Sequence, residues 1–253
     1  MRIIVSPAKK MNVVDSGVDW LDLPPFVEQA EELARAVRAL SYDEAKDLWK
    51  CSDALAELNF ERYRTMNLHD AGRLSPAALA YEGIQYQHLA PSVMSEWELA
   101  WLQEHLRILS GLYGVLRPLD GVVPYRLEMQ AKLAVGGARD LYAYWGSRIF
   151  DALRAESGTI VNLASVEYAK AVAPFARKDA GARFVTCLFG EVGAGGKLRQ
   201  RATAAKAARG SMVRWCAERG IERVEDLAAF DALGHRFAPS LSSPDTLVFA
   251  TNA

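Results

Sequence analysis

The chain has 253 residues, 51% of them hydrophobic and 24% charged, and its 30 Lys and Arg against 31 Asp and Glu give a net charge of -1. At roughly 150 residues per domain this is one large domain or two small ones, in the compositional range of a folded globular chain and not of a disordered one. A chain of this length can bury roughly 70 to 75% of its extended surface, so it needs no disulfide or metal staple.

Arg2 to Val5 is a short β-branched run closed by Ser6-Pro7, which predicts a buried strand delivering Lys9 and Lys10 into a loop beyond its C-terminal end. Ligands in α/β sheets collect at such ends. The apolar stretch in this opening run is too short for a signal peptide, and no window reaches the ~20 apolar residues of a membrane span. The expectation is a cytoplasmic protein with no membrane partner, read as a monomer.

Val27, Ala30, Leu33, Ala34, Val37 and Leu40 recur at intervals of three and four and predict one amphipathic helix. Ser41 with Glu44 and Ser95 with Glu98 have capping-box spacing, so helices are predicted to begin at Tyr42 and Glu96, the second running to about Leu109. Asp140 can cap a helix carrying Leu141, Tyr144, Trp145, Ile149 and Leu153. Thr159 to Leu163 reads as a buried strand, followed through Ala164-Ser165 by a helix with Tyr168 and Lys170. Phe184 to Phe189 and Lys197 to Thr203 flank the Gly-rich stretch 190–196 as a hairpin. Ala204 to Arg219 reads as a helix disturbed at Gly210, and Thr246 to Ala250 as a last strand. With no repeat and no dividing linker, residues 1–253 form one α/β domain: a mixed, largely buried sheet flanked by helices.

Charge is segregated along this chain. From Asp15 to Glu61 twelve acidic residues face four basic ones, a balance of -8, whereas from Val161 to Arg214 ten basic residues face three acidic ones, a balance of +7. Such asymmetry marks an anion-binding face, or else solvated helix faces whose charges cancel in three dimensions.

Several familiar chemistries are excluded. Cys51, Cys187 and Cys216 are odd in number and lack CxxC spacing, and His69, His88, His105 and His235 form no HxxxH. Neither a disulfide framework, a metal site nor a cofactor is indicated. The run Gly193 to Lys197 is no phosphate loop: Glu191 stands where the first Gly belongs, and Leu198 replaces the hydroxyl residue. No GxGxxG follows the first strand and no GxSxG elbow occurs.

Two segments point elsewhere. Leu106 to Asp120 carries Ser110-Gly111-Leu112-Tyr113-Gly114 after a predicted helix, similar to a helix-hairpin-helix element whose glycines let backbone N–H groups approach a nucleic-acid phosphate. The plainer reading is a tight turn between packed elements. In Pro124 to Met129, Arg126 and Glu128 share one face of an extended segment. They form an internal salt bridge, or an anion clamp with its orienter or general base. Asn162, Ser165, Glu167 and Tyr168 cluster at a strand end in the same way, and capping of the following helix by Ser165 explains part of that cluster without any function.

Together, Ser6-Pro7-Ala8-Lys9, the 106–120 block, Pro124-Tyr125-Arg126-Leu127-Glu128-Met129, Asp140-Leu141-Tyr142 with Trp145-Gly146, Asn162 to Ser165 with Glu167-Tyr168, and Lys206 with Ala208-Arg209-Gly210 resemble the YaaA family (UPF0246, DUF328) over nearly the whole chain. The resemblance implies a cytoplasmic peroxide stress protein that limits free iron and oxidative DNA damage. It also implies DNA binding through a helix-hairpin-helix-like element and a positive cleft. Carried over by position, Lys9, Arg117, Arg126, Lys206 and Arg209 match basic positions, and Gly111 and Gly114 match the hairpin. Lys10 stands where Thr is common, Ala204 where an aromatic is frequent and Ala207 where Lys often sits, which weakens any stacking platform beside Lys206.

Two functions compete. One is sequence-independent binding of double-stranded DNA through the 111–114 amides and Lys9, Lys10, Arg117, Arg126, Lys206 and Arg209. The other is an enzyme acting on a small anionic ligand, with Glu128, Tyr168 and Lys9 as catalytic candidates. Direct iron storage lacks an ExxH pair.

Overall fold

The computed structural model describes residues 1–14, 17–193 and 195–251. Its centre is a sheet of eight strands: Arg2–Val5 (β1), Leu106–Ser110 (β2), Gly114–Leu116 (β3), Thr159–Asn162 (β4), Arg183–Val192 (β5), Leu198–Arg199 (β6), Arg236–Phe237 (β7) and Thr246–Thr251 (β8). Their order is β7-β8-β5-β4-β1-β2-β3, with β6 paired to β5. Pairing is parallel for β1 with β2 and β4, for β4 with β5 and for β5 with β8. It is antiparallel at β2–β3, β5–β6 and β7–β8.

Ile3, Ile4 and Val5 are fully buried at the middle of this sheet, which is why β1 reads as a continuous apolar run with no polar alternation. Ile3 lies opposite Leu106 on one side and Val161 on the other. Helices flank the sheet, and buried residues from Ile3 to Phe249 join in one core, giving a single mixed α/β domain. Among the described residues no helix is long and apolar enough to cross a membrane.

The chain leaves β1 for β2 on one side, but leaves β4 for β5 on the other. β1 and β4 are neighbours, so their C-terminal ends flank the crevice where connections diverge, the place at which open α/β sheets take ligands.

Residues 106–120 correct the helix-hairpin-helix expectation. The helix Glu96–His105 ends at His105, and Leu106–Ser110 is a strand that turns back to pair with Gly114–Leu116, Ser110 opposite Gly114. So short a segment, with Leu106, Ile108 and Leu109 apolar, fits a buried strand as well as a helix, and pairing with the edge of β1 decides for the strand. All residues from Leu106 to Leu116 are buried.

Three smaller expectations also change. The helix predicted from Leu141 to Leu153 is broken at Gly146, which has φ +50°, into Leu141–Trp145 and Arg148–Glu156. The helix Ala202–Arg219 runs without interruption through Gly210. The Ser165 side chain does not cap the short helix Val166–Ala169. Both capping boxes, at Ser41 and Ser95, are present as read.

Candidate functional site

The site is built outward from the end of β1. The Ser165 amide, just beyond β4, donates to Ser6 Oγ at 2.8 Å, which ties the two strand ends together. The carbonyl of Ser6 accepts from Gln85 Nε2 and from the Tyr86 hydroxyl, each at 3.0 Å. Gln85 and Tyr86 lie on the helix Ile84–Leu89, against which the helix Ala202–Arg219 packs. A Cβ at Gly210 would fall 2.0 Å from the Gln85 carbonyl oxygen, so the glycine permits that close approach and brings Lys206 and Arg209 over the strand ends.

The result is one cleft of about 450 Å³ at the crevice between β1 and β4. It gathers Lys9, Lys10, Arg126, Glu128, Tyr168, Lys206 and Arg209, with Ser6, Glu82, Tyr125 and Glu167 also on its walls. Seven residues from four distant stretches of sequence thus meet in one place.

The cations differ in what they already hold. Lys10 Nζ lies 2.8 Å from Glu82 Oε1, and this hydrogen bond, with one from Asn12, holds Glu82 below the usual carboxylate range. Glu128 Oε1 is shared by Arg126 Nη2 at 2.8 Å and Lys9 Nζ at 3.2 Å. Lys206 and Arg209 have no hydrogen-bond or ion-pair partner among the described residues. The Nε atoms of Arg126 and Arg209 are both buried without an acceptor. Burial lowers the pKa of Arg209, since its charge has lost water and gained no counter-charge.

The uncharged and acidic walls follow the same logic. Burial raises the Glu167 carboxyl, nearby Glu128 adds to the rise, and the Gln130 amide donating to Glu167 Oε1 at 3.2 Å opposes it. Burial pushes the Tyr168 phenol well above its ordinary value, so it stays protonated as a hydrogen-bonding group. Tyr125 bonds Ser110 Oγ at 2.6 Å and the Tyr81 hydroxyl at 2.8 Å, and burial pushes it up to about 12. Chemically the cleft can hold an anion and keep the proton on Tyr168, while burial shifts the Glu167 carboxyl toward its protonated form.

A second, larger cavity of about 720 Å³ adjoins the first, since Lys9 and Glu128 line both. Leu48, Trp49, Lys50 and Leu133 line its other walls.

Three residues marked in the sequence lie elsewhere. Arg117 is 3.9 Å from Glu156, the carboxylate that also pairs with Arg2 and Arg107 at the opposite end of the sheet. Gly111 and Gly114 are buried under Leu127 and Trp145: a Cβ at Gly111 would lie 2.3 Å from the Leu127 carbonyl oxygen, and one at Gly114 2.8 Å from the Trp145 ring. The amides of Leu112 and Tyr113 donate to Ser110 Oγ and cannot serve a phosphate. A helical pair with a short turn does occur, at Tyr42–Trp49 and Asp53–Thr65. Residues 41–65 hold six carboxylates against four cations, however, which is the wrong sign for a phosphate contact.

Sequence reasoning missed Gln85 and Tyr86, whose role depends on the Ser6 carbonyl and has no local pattern. It also missed the second cavity. Asn162, which it did mark, is occupied structurally: its Oδ1 accepts from the Ala164 amide and its Nδ2 donates to Thr186. No group of three or more His, Cys, Asp or Glu among the described residues is placed to hold a metal ion.

Comparison with known proteins yields one consistent match. The family model described as peroxide stress protein YaaA matches residues 1–241. A UPF0246 protein of Pediococcus pentosaceus is 47% identical over 252 residues, covering 100% of this chain and 98% of the relative. Another from Lachnoclostridium phytofermentans is 47% identical over 249 residues, covering 98% and 96%.

Proposed function

The chain belongs to the family of peroxide stress protein YaaA, and on that premise we propose that it acts in peroxide stress by binding a small anionic ligand in the cleft beyond β1 and β4. What carries this reading is the pair of guanidinium groups, Arg126 and Arg209, whose buried Nε atoms lack acceptors on the walls of one cleft. A buried N–H of a cationic group left without an acceptor is costly, the more so at Arg209, which has no counter-charge, and an anionic ligand relieves that cost. A volume of about 450 Å³ also suits a small molecule. Among the catalytic candidates, Glu128 is held by two cations, one of them Lys9, while Tyr168 retains a proton a ligand can share. The protein in this reading is a cytoplasmic monomer with no cofactor of its own. Titration calorimetry with inorganic phosphate, sulfate and acetate is the test. Binding that Arg209→Ala weakens about tenfold supports the reading, and no binding by any of the three overturns it.

Sequence-independent binding of double-stranded DNA, limiting oxidative damage and free iron, is the second reading. Lys9, Lys10 and Lys206 are exposed at the cleft mouth, which favours it. A duplex is too wide to enter the cleft and would lie across that mouth. Backbone contacts from residues 111–114 play no part in it.

A further inference from the structure

The charge left over in the cleft, and the cavity beside it, narrow the ligand further, on the premise that the cleft binds an anion. Three of its five cations are already committed: Lys10 to Glu82, and Lys9 and Arg126 to Glu128. The two without partners, Lys206 and Arg209, stand three residues apart on the helix Ala202–Arg219, hence on one face with Cβ atoms ~5 to 6 Å apart. A compact group of charge -2 satisfies both at once. A single carboxylate leaves one unsatisfied, and a dicarboxylate spreads its charge too widely.

The wall between the two cavities is the Lys9–Glu128 contact. Its two sides are unequal, because the Lys9 side chain is 67% exposed and that of Glu128 12%. An exposed lysine pair contributes only ~0 to 1 kcal/mol, so the Lys9 arm swings aside at little cost. Glu128 then still holds Arg126 at 2.8 Å and remains neutralised. Beyond the wall, Leu48, Trp49 and Leu133 form apolar surface, and the buried Trp49 Nε1 has no acceptor. Glu44 and Asp47 oppose Lys50 and Lys132 at its rim, so that cavity calls for no second anionic group.

We propose that the protein takes a phosphate monoester, its phosphoryl dianion against Lys206 and Arg209 and its organic part passing the Lys9–Glu128 wall into the cavity beside Trp49. The full chain is titrated by calorimetry with inorganic phosphate, acetate and adenosine 5′-monophosphate, the last serving as a monoester with an amphipathic body. The monoester is expected to bind more tightly than inorganic phosphate, and more tightly at about pH 8 than at about pH 5, where its second proton returns. Arg209→Ala weakens both phosphates about tenfold. Ala134→Trp, at an exposed position lining only the larger cavity, weakens the monoester about tenfold and leaves inorganic phosphate unchanged. Acetate binding as tightly as phosphate overturns the dianion assignment, and a monoester no tighter than phosphate, indifferent to Ala134→Trp, overturns the two-cavity assignment. Both results leave the anion reading standing. That reading itself falls only when none of the anions binds.

Discussion

The carbonyl oxygen of Gln85 occupies the place where a side chain at residue 210 would be: a Cβ on Gly210 would sit 2.0 Å from it. Through this contact the long C-terminal helix is set against the helix that holds the Ser6 carbonyl. Gly210 therefore fixes the distance between Arg209 and the end of β1, although it touches no ligand itself.

Gly210→Ala is accordingly expected to destabilise the fold by about 1 to 3 kcal/mol, as overpacking does, because backbone and not a flexible side chain must yield. Denaturant titration measures the loss. Anion affinity should fall with it, since Lys206 and Arg209 move away from Ser6. A variant of unchanged stability would mean the helices separate freely at this point.

The shared carboxylate of Glu128 gives a contrast between two deletions. Glu128→Ala removes the partner of Arg126, whose Nε already lacks one, and leaves a guanidinium that is only 8% exposed without counter-charge. A cost of about 3 kcal/mol follows from breaking a buried pair. Lys9→Ala removes only the exposed arm and should cost at most about 1 kcal/mol. Equal losses in the two variants, by chemical denaturation, would contradict this ranking.

How much of this was legible in the sequence depends on the range of the interaction. Arg2–Val5, the two capping boxes and the helix at Val27 rest on local patterns, and each appears where the pattern lies. The sequence reads Leu106–Ser110 as the end of a helix because a five-residue segment with three apolar side chains does not declare its period, and its strand state depends on pairing with β1, a hundred residues away. The glycines at 111 and 114 read as phosphate-approach positions, yet they make room for Leu127 and Trp145. Their types carry the need for closeness but not the identity of the neighbour. Lys9, Arg126, Lys206 and Arg209 stood out by type and by their places at element ends. Gln85 did not, because its function is one hydrogen bond to a distant carbonyl.

Those glycines make a prediction of their own. Gly111→Ala and Gly114→Val should reduce the yield of folded protein, the first by collision with a carbonyl and the second by adding left-handed strain, φ +69°, to a clash with Trp145. Whatever folds should bind anions as the wild type does. A well-folded variant with selectively weakened binding would restore a ligand role for the hairpin.

Asp120 predicts a pH dependence away from the cleft. It is 1% exposed and accepts the Arg117 amide at 2.8 Å, and burial raises its carboxyl from 3.8 to about 7. The folded state thus keeps a proton that the unfolded state has released between about pH 4 and 7. The stabilising contribution is complete below about pH 4 and is lost as pH rises through about 7, with a slope of up to ~1.4 kcal/mol per pH unit. Asp120→Asn still accepts the Arg117 amide but cannot ionise. The difference in unfolding free energy between wild type and variant should therefore grow with pH across that window, and a constant difference would refute the assignment.

The duplex reading makes a quantitative prediction in which the buried hairpin takes no part. With the amides of Leu112 and Tyr113 donating to Ser110 Oγ and Arg117 at the other end of the sheet, the contacts open to a duplex across the cleft mouth are Lys9, Lys10 and Lys206. About three phosphates neutralised at ~0.9 each give a slope of log affinity against log salt near -3. Lys10 is partly held by Glu82 and Lys9 by Glu128, so the slope should lie between about -2 and -3. Lys206→Ala should reduce its magnitude by ~1 and weaken every duplex sequence alike, since a phosphate contact reads no base. Titrating labelled duplex at several salt concentrations measures all of this. Wild-type binding that is absent at about 50 mM salt removes the duplex reading and leaves the small-anion site as the function the cleft serves.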